Sequence, residues 1–356
     1  MTLLRRIITY LLFPLTVWYA IGIALRNLIY ASRPERSRPT AISSVGIGNL
    51  CMGGAGKTPM ASLLIDLFSS RHVALLSRGY GRSTTGFHQA EPDSTTETIG
   101  DEPLMIYRRH HIHTFVCEDR NTGISLIRKH HPDIDLLLLD DVFQHRKTRP
   151  DLLLLLTTCS QPFYDDRILP FGNLREYRSG ARRADAIIVT KCPRNFSPEQ
   201  QSAIRSRLRG MGYSHPLFFS TVEYGSPIPF TADTAPLSPH TGNVLLFTGI
   251  AHPEPLYSHL SQTSAVTHLT FPDHHAYSPH DLARIRKQWQ EMGPDTPIFT
   301  TEKDAARLNT AQVTGLPIYF IPIHTRMIPG QELDFNHWIQ EKLRNTISDT
   351  GNIPVI

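Results

Sequence analysis

Hydrophobic residues in this chain fall into short continuous runs that are separated by segments with helical spacing. Runs of Leu, Ile and Val without polar alternation are typical of parallel strands buried on both faces. Ten such runs predict strands at 43–47, 73–76, 113–116, 135–139, 152–156, 186–189, 217–221, 244–247, 266–269 and 297–300. Because helical patterns alternate with them, we expect an α/β fold with a doubly wound, mostly parallel sheet.

The runs form two series, which predict two domains. The first series belongs to an α/β domain at 31–180, and the second to an α/β/α domain at 181–330. A basic, turn-rich stretch at 175–185 is interpreted as the link between them. Residues 1–30 are expected to form a separate N-terminal helix, and residues 331–356 a C-terminal helix and tail.

The N-terminal segment 7–25 contains no charged residue and is bracketed by arginines. At 1.5 Å per residue, its 19 residues are marginally long enough to cross a bilayer core of ~30 Å. More basic residues follow it than precede it, which favours a body on the cytoplasmic side. The segment therefore predicts a membrane anchor, and Pro14 also allows a half-inserted helix. A buried helix and a cleaved signal peptide are the competing interpretations.

Composition narrows the function classes. The chain has 356 residues, of which 40% are hydrophobic and 19% charged, so it is expected to be globular. Its net charge of +4 and the lack of a long basic run argue against a nucleic-acid partner. The four cysteines form no C-x-x-C pair, which argues against a zinc site and fits a reducing cytoplasm.

The most specific motif is a glycine-rich loop between the run 43–47 and a helical pattern at 59–69. Such a loop surrounds phosphate oxygens with backbone N–H groups and a helix N-terminus, so the sequence predicts a P-loop NTPase-like domain that binds ATP and Mg²⁺. In this pattern Lys57 reaches the β- and γ-phosphates and the Thr58 hydroxyl binds Mg²⁺. The usual first glycine is replaced by Cys51. The predicted ATP-binding loop comprises Cys51, Met52, Gly53, Gly54, Ala55, Gly56, Lys57 and Thr58.

Two acidic residues, Asp140 and Asp141, follow the strand predicted at 135–139. The carboxyl end of a parallel strand is the edge at which phosphate loops lie, so the pair is expected to organise Mg²⁺. Two adjacent carboxylates repel each other and need a cation or another partner. The alternative is a solvated strand end.

Three further segments carry candidate chemistry. The loop with Arg78 and Tyr80 follows a predicted strand and is either a phosphate-facing loop or a surface turn. Asp101 begins a predicted helix at 103–109, where it is either an N-cap or a base that accepts a hydroxyl proton. His274 follows a strand of the second series, and no suitable ligand spacing supports a metal site there.

In order along the chain, these motifs resemble those of the tetraacyldisaccharide 4′-kinases, the lipid A 4′-kinases of Gram-negative bacteria. The resemblance extends to about residue 304, and the family also lacks the first glycine of the loop. This chain departs from the family pattern at Val142, Asn173 and Tyr177. The matching motifs are Gly48-Asn49-Leu50, Gly53 to Pro59, Ser77 to Gly81, Gly100 to Pro103, Asp140 to His145, Leu169-Pro170, Leu174 to Glu176, Arg183 to Asp185, Asp273-His274 and Thr301 to Asp304.

The resemblance implies transfer of phosphate from Mg·ATP to the 4′-hydroxyl of an acylated glucosamine disaccharide 1-phosphate, which gives lipid IVA. It also implies two α/β/α domains and a location on the cytoplasmic face of the bacterial inner membrane, held at the lipid surface by the N-terminal helix. The residue roles carried over are Asp101 as catalytic base with His274 as its partner, Asp140, Asp141 and Gln144 around Mg²⁺ and the nucleotide, and Arg78, Tyr80 and Arg175 near phosphates or the lipid head group.

Two other functions fit part of the pattern. A membrane-anchored P-loop ATPase switch would share the loop, the acidic strand end and the anchor, but it would not need Asp101 or His274. In a soluble small-molecule kinase, the first helix would be part of the hydrophobic core and would not contact a membrane. No obligate protein partner is expected for the lipid kinase.

Overall fold

The computed structural model describes residues 3–237 and 242–350, with side chains described from residue 17 to residue 345 of those ranges. Its helices are α1 (Leu3–Ser32), α2 (Lys57–Leu67), α3 (Thr96–Ile99), α4 (Asp101–His110), α5 (Arg120–His130), α6 (Pro198–Gly210), α7 (Glu254–Leu260), α8 (Pro279–Met292), α9 (Glu302–Ala305) and α10 (Glu332–Thr350). Short 3-10 helices lie at Pro34–Arg36, Arg178–Arg183 and Thr310–Gln312.

The strands are β1 (Arg38–Pro39), β2 (Ser44–Asn49), β3 (Val73–Ser77), β4 (His88–Gln89), β5 (His113–Val116), β6 (Leu136–Leu139), β7 (Thr148–Arg149), β8 (Leu152–Thr158), β9 (Ala186–Thr190), β10 (Leu217–Tyr224), β11 (Ile228–Pro229), β12 (Asn243–Thr248), β13 (Ala265–Thr270), β14 (Ile298–Thr301), β15 (Ile318–Ile321) and β16 (Ile323–Met327). All ten strands predicted from the apolar runs are confirmed.

Among the described residues, nine strands form the larger sheet in the order β16-β10-β9-β8-β2-β6-β3-β5-β4. Its central pairs are parallel, and the two outermost strands run antiparallel to their neighbours. The central strands β2, β3 and β6 are buried at every residue, as expected for a sheet covered by helices on both faces. The α/β prediction with parallel-rich sheets is therefore confirmed.

A smaller sheet has the strand order β11-β15-β14-β12-β13 within the described residues, and it too is parallel except at one edge. Helices α7 and α8 pack near β13 and β12, and two clusters of buried apolar side chains fill this layer. The smaller sheet and its helices thus form a second α/β unit.

The grouping of strands differs from the prediction at residue 181. The sequence analysis assigns β9 and β10 to the second domain, but both hydrogen bond within the larger sheet. The stretch 175–185 therefore connects two strands of one sheet. The crossing between sheets occurs later, where the amide of Gly225 donates to the carbonyl of Pro322 at 2.8 Å. An apolar run does not specify which strand edge it joins, so periodicity alone misplaces this boundary.

The C-terminal part of the chain returns to the first core. Strand β16 pairs antiparallel with β10, and α10 places Phe335 and Ile339, both fully buried, against the central strands of the larger sheet. Phe335 also contacts Phe218 edge to face, with ring centroids 5.1 Å apart. Helix α10 therefore completes the packing of the first unit.

Helix α1 contains the segment 7–25 that was expected to be a membrane anchor. Side chains before residue 17 lie outside the described residues. Within the described part of the chain, no helix combines the length and the apolar character needed to cross a membrane. The anchor therefore stays a prediction.

Replacing Phe335 with alanine tests whether α10 belongs to the first core. Removal of a fully buried aromatic side chain is expected to lower the free energy of unfolding by about 3–5 kcal/mol. The matched control is Leu333→Ala on the same helix, where the side chain is 70% exposed and the expected change is within about 0.5 kcal/mol. Equal melting temperatures for the two variants would contradict this packing.

Candidate functional site

The glycine-rich loop lies between β2 and α2, at the carboxyl edge of the larger sheet. Gly56 is the N-cap of α2 and has φ 83°, a left-handed conformation that glycine adopts without strain. Two side chains hold the loop: the Thr190 hydroxyl donates to the carbonyl of Ala55 at 2.8 Å, and the Asn49 amide donates to the carbonyl of Cys51 at 2.7 Å. The helix N-terminus with these backbone amides is suited to bind an anion.

Asn49 organises the charged side chains beside this loop. It is 2% exposed, and its side-chain oxygen accepts hydrogen bonds from Lys57 at 3.4 Å and from Arg175 at 2.5 Å. The Lys57 ammonium also lies 3.6 Å from a carboxylate oxygen of Asp141. Lys57, the cation expected at the phosphates, is therefore fixed by the Asn49 side-chain amide and the Asp141 carboxylate.

Asp141 is held as a carboxylate by its cationic neighbours. Arg175 donates to both of its oxygens at 3.0 Å, a bidentate geometry that strengthens the ion pair. Burial acts to raise the pKa of Asp141, but the Arg175 hydrogen bonds and the Lys57 charge outweigh it and lower the pKa to about 2. Its backbone has φ 47°, which is uncommon for a residue other than glycine and is often found at functional sites.

The neighbouring Asp140 has the opposite environment. Its side chain is buried, and one oxygen accepts a hydrogen bond from the Ser77 hydroxyl at 3.1 Å. The other oxygen is buried without a hydrogen-bond partner among the described residues. Burial and, next, the negative charge of Glu102 raise the pKa of Asp140 to about 6. Such an orphaned carboxylate oxygen fits a site that is completed by a hard cation.

Other predicted site residues surround this group. Gln144 donates to the carbonyl of Asn49 at 2.8 Å, so it lies against the strand end that begins the loop. Thr58 occupies the second position of α2 and is half-buried. Cys51 is half-buried, and burial raises the pKa of its thiol to about 12, while Met52 is exposed. The thiol is therefore protonated and contributes shape rather than charge.

Asp101 lies in the first turn of α4, but it does not cap that helix. The N-cap is Gly100, so the N-cap interpretation of Asp101 is wrong. Its carboxylate accepts hydrogen bonds from His274 Nδ1 at 3.0 Å and from Arg307 Nε at 2.9 Å. The predicted Asp101–His274 pair is thus formed between the first unit and the second.

His274 is presented by a short loop after β13, with φ 58°. The ring of Tyr80 lies edge-on to the His274 imidazole, with centroids 5.9 Å apart. On its other side, the Lys303 ammonium lies 3.4 Å from Nε2. The Nδ1 atom of His274 therefore faces Asp101 and Arg307, and its Nε2 atom faces Lys303.

Glu102 connects the two groups of residues. Its charge is close enough to raise the pKa of Asp140, and its carboxylate lies 3.5 Å from the Lys303 ammonium of the second unit. The loop that carries Arg78 and Tyr80 packs on Gly100, where a Cβ would lie 3.0 Å from the carbonyl of Tyr80. The Arg78 and Tyr80 side chains are both exposed. Glu102 therefore links the surroundings of Asp140 to Lys303 of the second unit.

A cavity of about 280 Å³ borders the glycine loop. Its walls come from both units, since His252, Glu254 and Pro255 of the second unit line it together with the loop and strand β8. Lys191 also lines it, and burial lowers the pKa of that ammonium. The cavity is large enough for a nucleoside-sized group beside the phosphate loop.

Several residues of this site are not predicted from the sequence. Asn49 ends the strand before the loop, so its position could have suggested a role. Lys191 and Arg307 join the site only through tertiary contacts. No local pattern marks them, because their partners lie far away in the sequence.

Comparison with known proteins gives a consistent family. The family model for tetraacyldisaccharide-1-P 4′-kinase, LpxK, matches residues 8–344. A tetraacyldisaccharide 4′-kinase of Flavobacterium johnsoniae is 36% identical over 93% of this chain and 95% of the relative. Another, of Bacteroides thetaiotaomicron, is 38% identical over 94% of each chain.

A solved structure agrees. The crystal structure of LpxK from Aquifex aeolicus in complex with ATP superposes with a TM-score of 0.72 at 25% identity, and the match covers 93% of this chain and 98% of that one. With the family model matching nearly the whole length, the chain belongs to the tetraacyldisaccharide-1-P 4′-kinase family.

Proposed function

We propose that this chain transfers the γ-phosphate of ATP to the 4′-hydroxyl of a tetraacyldisaccharide 1-phosphate, which gives lipid IVA. The observation that carries the proposal is the hydrogen bond between Asp101 and His274. It joins the second unit to the unit in which Lys57 pairs with Asp141. A family whose relatives are named as 4′-kinases supports the same reaction.

The glycine loop binds the triphosphate of ATP in this proposal. Backbone amides of residues 53–58 surround the phosphate oxygens, and Lys57 neutralises charge that develops on the transferred group. The cavity lined by Lys191 receives the nucleoside, because residues 51–55 of the glycine loop also line it. The neighbouring LpxK structure contains ATP, which supports this nucleotide.

Thr58, Asp140 and Asp141 would hold Mg²⁺. The buried, unpartnered oxygen of Asp140 fits such an ion. Mg²⁺ usually binds one or two carboxylates together with phosphates and water. When bound, Mg²⁺ neutralises charge on the phosphates and orients them.

Asp101 would direct the acceptor hydroxyl. The hydroxyl oxygen forms a bond to the γ-phosphorus while the bond from that phosphorus to the bridging oxygen of ADP breaks, and the hydroxyl proton passes to the Asp101 carboxylate. Transfer through a loose transition state needs positioning more than a strong base, and His274 fixes the carboxylate for that purpose. Arg78, Tyr80 and Arg175 would border a crevice between the two units and bind the phosphate and sugar of the lipid there.

The first helix would place this crevice at a membrane surface. Trp18, Ile21, Leu25 and Leu28 are exposed at helical spacing and form one apolar stripe on α1. The same helix is joined to the site, since the Tyr19 hydroxyl donates to the carbonyl of Arg175 at 2.9 Å. We therefore infer that α1 lies in the lipid interface on the cytoplasmic face of the inner membrane, where an acylated acceptor reaches Arg175 directly.

Product analysis tests the proposed reaction. Purified full-length chain, incubated with Mg·ATP and tetraacyldisaccharide 1-phosphate, should add one phosphate to the glycolipid at the 4′ position, detected by mass spectrometry. A membrane-anchored ATPase switch would instead release phosphate into water without modifying the lipid. Release of free phosphate with an unmodified glycolipid would reject the kinase proposal.

Two substitutions separate the roles of base and phosphate-binding cation. Asp101→Asn keeps the size of the side chain but cannot accept the proton, so kcat should fall about 10²–10⁴-fold while ATP binding is retained. Lys57→Ala should impair both ATP affinity and kcat, because Lys57 contacts the phosphates before and during transfer. Steady-state kinetics and equilibrium ATP binding measure both. Near wild-type turnover by Asp101→Asn would remove Asp101 from its role.

The raised pKa of Asp140 predicts a pH-dependent gain in stability for Asp140→Asn. A folded-state pKa of about 6, above the ordinary value of 3.8, means that this carboxyl contributes stability at low pH that is lost as the pH rises through about 6. The asparagine variant cannot ionise and avoids that loss, which is roughly 1–3 kcal/mol. In EDTA, its melting temperature should therefore exceed that of the wild type at pH 8 but not at pH 4.

Excess Mg²⁺ supplies the control for that measurement. At pH 8 it should raise the melting temperature of the wild type, because binding to the folded state stabilises it, and should have little effect on Asp140→Asn. Equal differences between the two proteins at both pH values would contradict the burial of an ionisable Asp140.

A further inference from the structure

Arg307 is the most buried cation at the junction of the two units, and neither the motifs nor the family comparison assigns it a role. It follows α9, and its side chain is only 4% exposed. Its Nε and Nη2 atoms both donate to Oδ2 of Asp101, and Nη1 donates to the carbonyl of Gly249 at 2.9 Å. All three nitrogens of the guanidinium therefore donate hydrogen bonds to defined partners.

A buried carboxylate fixes Arg307 from the side of the smaller sheet. Arg307 Nη1 donates to Asp304 Oδ1 at 3.1 Å, and Asp304 is completely buried. Asp304 in turn accepts from the backbone amide of Gly249 at 3.1 Å and from the Thr301 hydroxyl at 2.7 Å. Because each oxygen of Asp304 has fixed partners, Arg307 cannot change its direction without leaving a buried charge unpaired.

The contacts of Arg307 determine which oxygen of Asp101 remains available. Within the described part of the chain, the hydrogen bonds that reach the Asp101 carboxylate, from His274 and Arg307, all end on Oδ2. Oδ1 is therefore the oxygen left for an acceptor hydroxyl. A planar guanidinium that donates two hydrogen bonds to one oxygen also restricts rotation of the carboxyl group.

We infer that Arg307 is a positioning residue, which fixes the Asp101 carboxylate with Oδ1 towards the acceptor and does so only when the second unit is docked. The inference rests on the proposed role of Asp101. Asp101 belongs to α4 of the first unit, whereas Arg307, Asp304 and Gly249 belong to the second. The reactive geometry at Asp101 therefore depends on the contact between the units, since a misplacement of about 1 Å can cost 10²-fold in rate.

Steady-state kinetics of Arg307 variants, with Mg·ATP and tetraacyldisaccharide 1-phosphate in mixed micelles, test this role in the full-length chain. Arg307→Met should lower kcat roughly 10–100-fold, with KM for ATP changed by less than about twofold because Arg307 does not contact the phosphate loop. Arg307→Lys should retain an intermediate kcat, because an ammonium replaces the charge but not the two-pronged geometry.

A double variant distinguishes positioning from a general structural role. Once Asp101 is replaced by asparagine, loss of Arg307 should lower kcat by no more than about a further twofold, because both residues act through one carboxylate. The matched control is Arg109→Met, which breaks an ion pair with Glu302 at the same junction. It should lower the melting temperature while kcat stays within about twofold of the wild type.

Three results would overturn the inference: wild-type kcat in Arg307→Met, losses that multiply in the double variant, or an equal loss of kcat in Arg109→Met. If Arg307→Met shows no cooperative thermal transition, the Arg307→Lys variant provides the test. A lowered kcat with an unchanged KM for ATP would support the positioning role, and a wild-type kcat would contradict it. The wild-type product reports on the proposed function, and the ratio of variant to wild-type kcat reports on Arg307, so the two can fail separately.

Discussion

The burial of two adjacent carboxylates at the edge of the larger sheet constrains everything around them. Like charges in neighbouring positions cannot both stay ionised in a buried site unless cations surround them. Here Arg175 and Lys57 compensate Asp141, and Asn49 holds both cations in place. At Asp140, burial is the larger effect and disfavours the ionised carboxylate. The pKa of Asp141 is consequently lowered to about 2, and the pKa of Asp140 is raised to about 6.

That separation suits a site that must gain and lose charge in each catalytic cycle. Asp141 stays ionised and keeps the lysine of the phosphate loop oriented, whereas Asp140 has an unpaired oxygen that a divalent cation can satisfy. Asp101 is fixed by groups of the second unit. The half of the site proposed to bind phosphate is thus built on one sheet, and the half proposed to activate the acceptor requires both units.

Much of the fold could be predicted from the sequence, because buried parallel strands leave continuous apolar runs such as 136–139 and 152–156. The phosphate loop could also be predicted, since its glycines and Lys57 are local in sequence. Periodicity could not assign β9 and β10 to a sheet, because the choice depends on which strand edges meet. Arg307 could not be found, since tertiary contacts alone bring it to Asp101.

In the proposed reaction, a phosphate donor bound by the glycine loop and an acylated sugar meet between the two units. A crystal structure of the full-length chain with Mg²⁺, a non-hydrolysable ATP analogue and tetraacyldisaccharide 1-phosphate would show whether they do. Lys57 is expected to contact the γ-phosphate while the 4′-hydroxyl lies within hydrogen-bond distance of Asp101. A glycolipid bound on another face, with its 4′-hydroxyl away from Asp101 and the γ-phosphate, would contradict the proposed reaction.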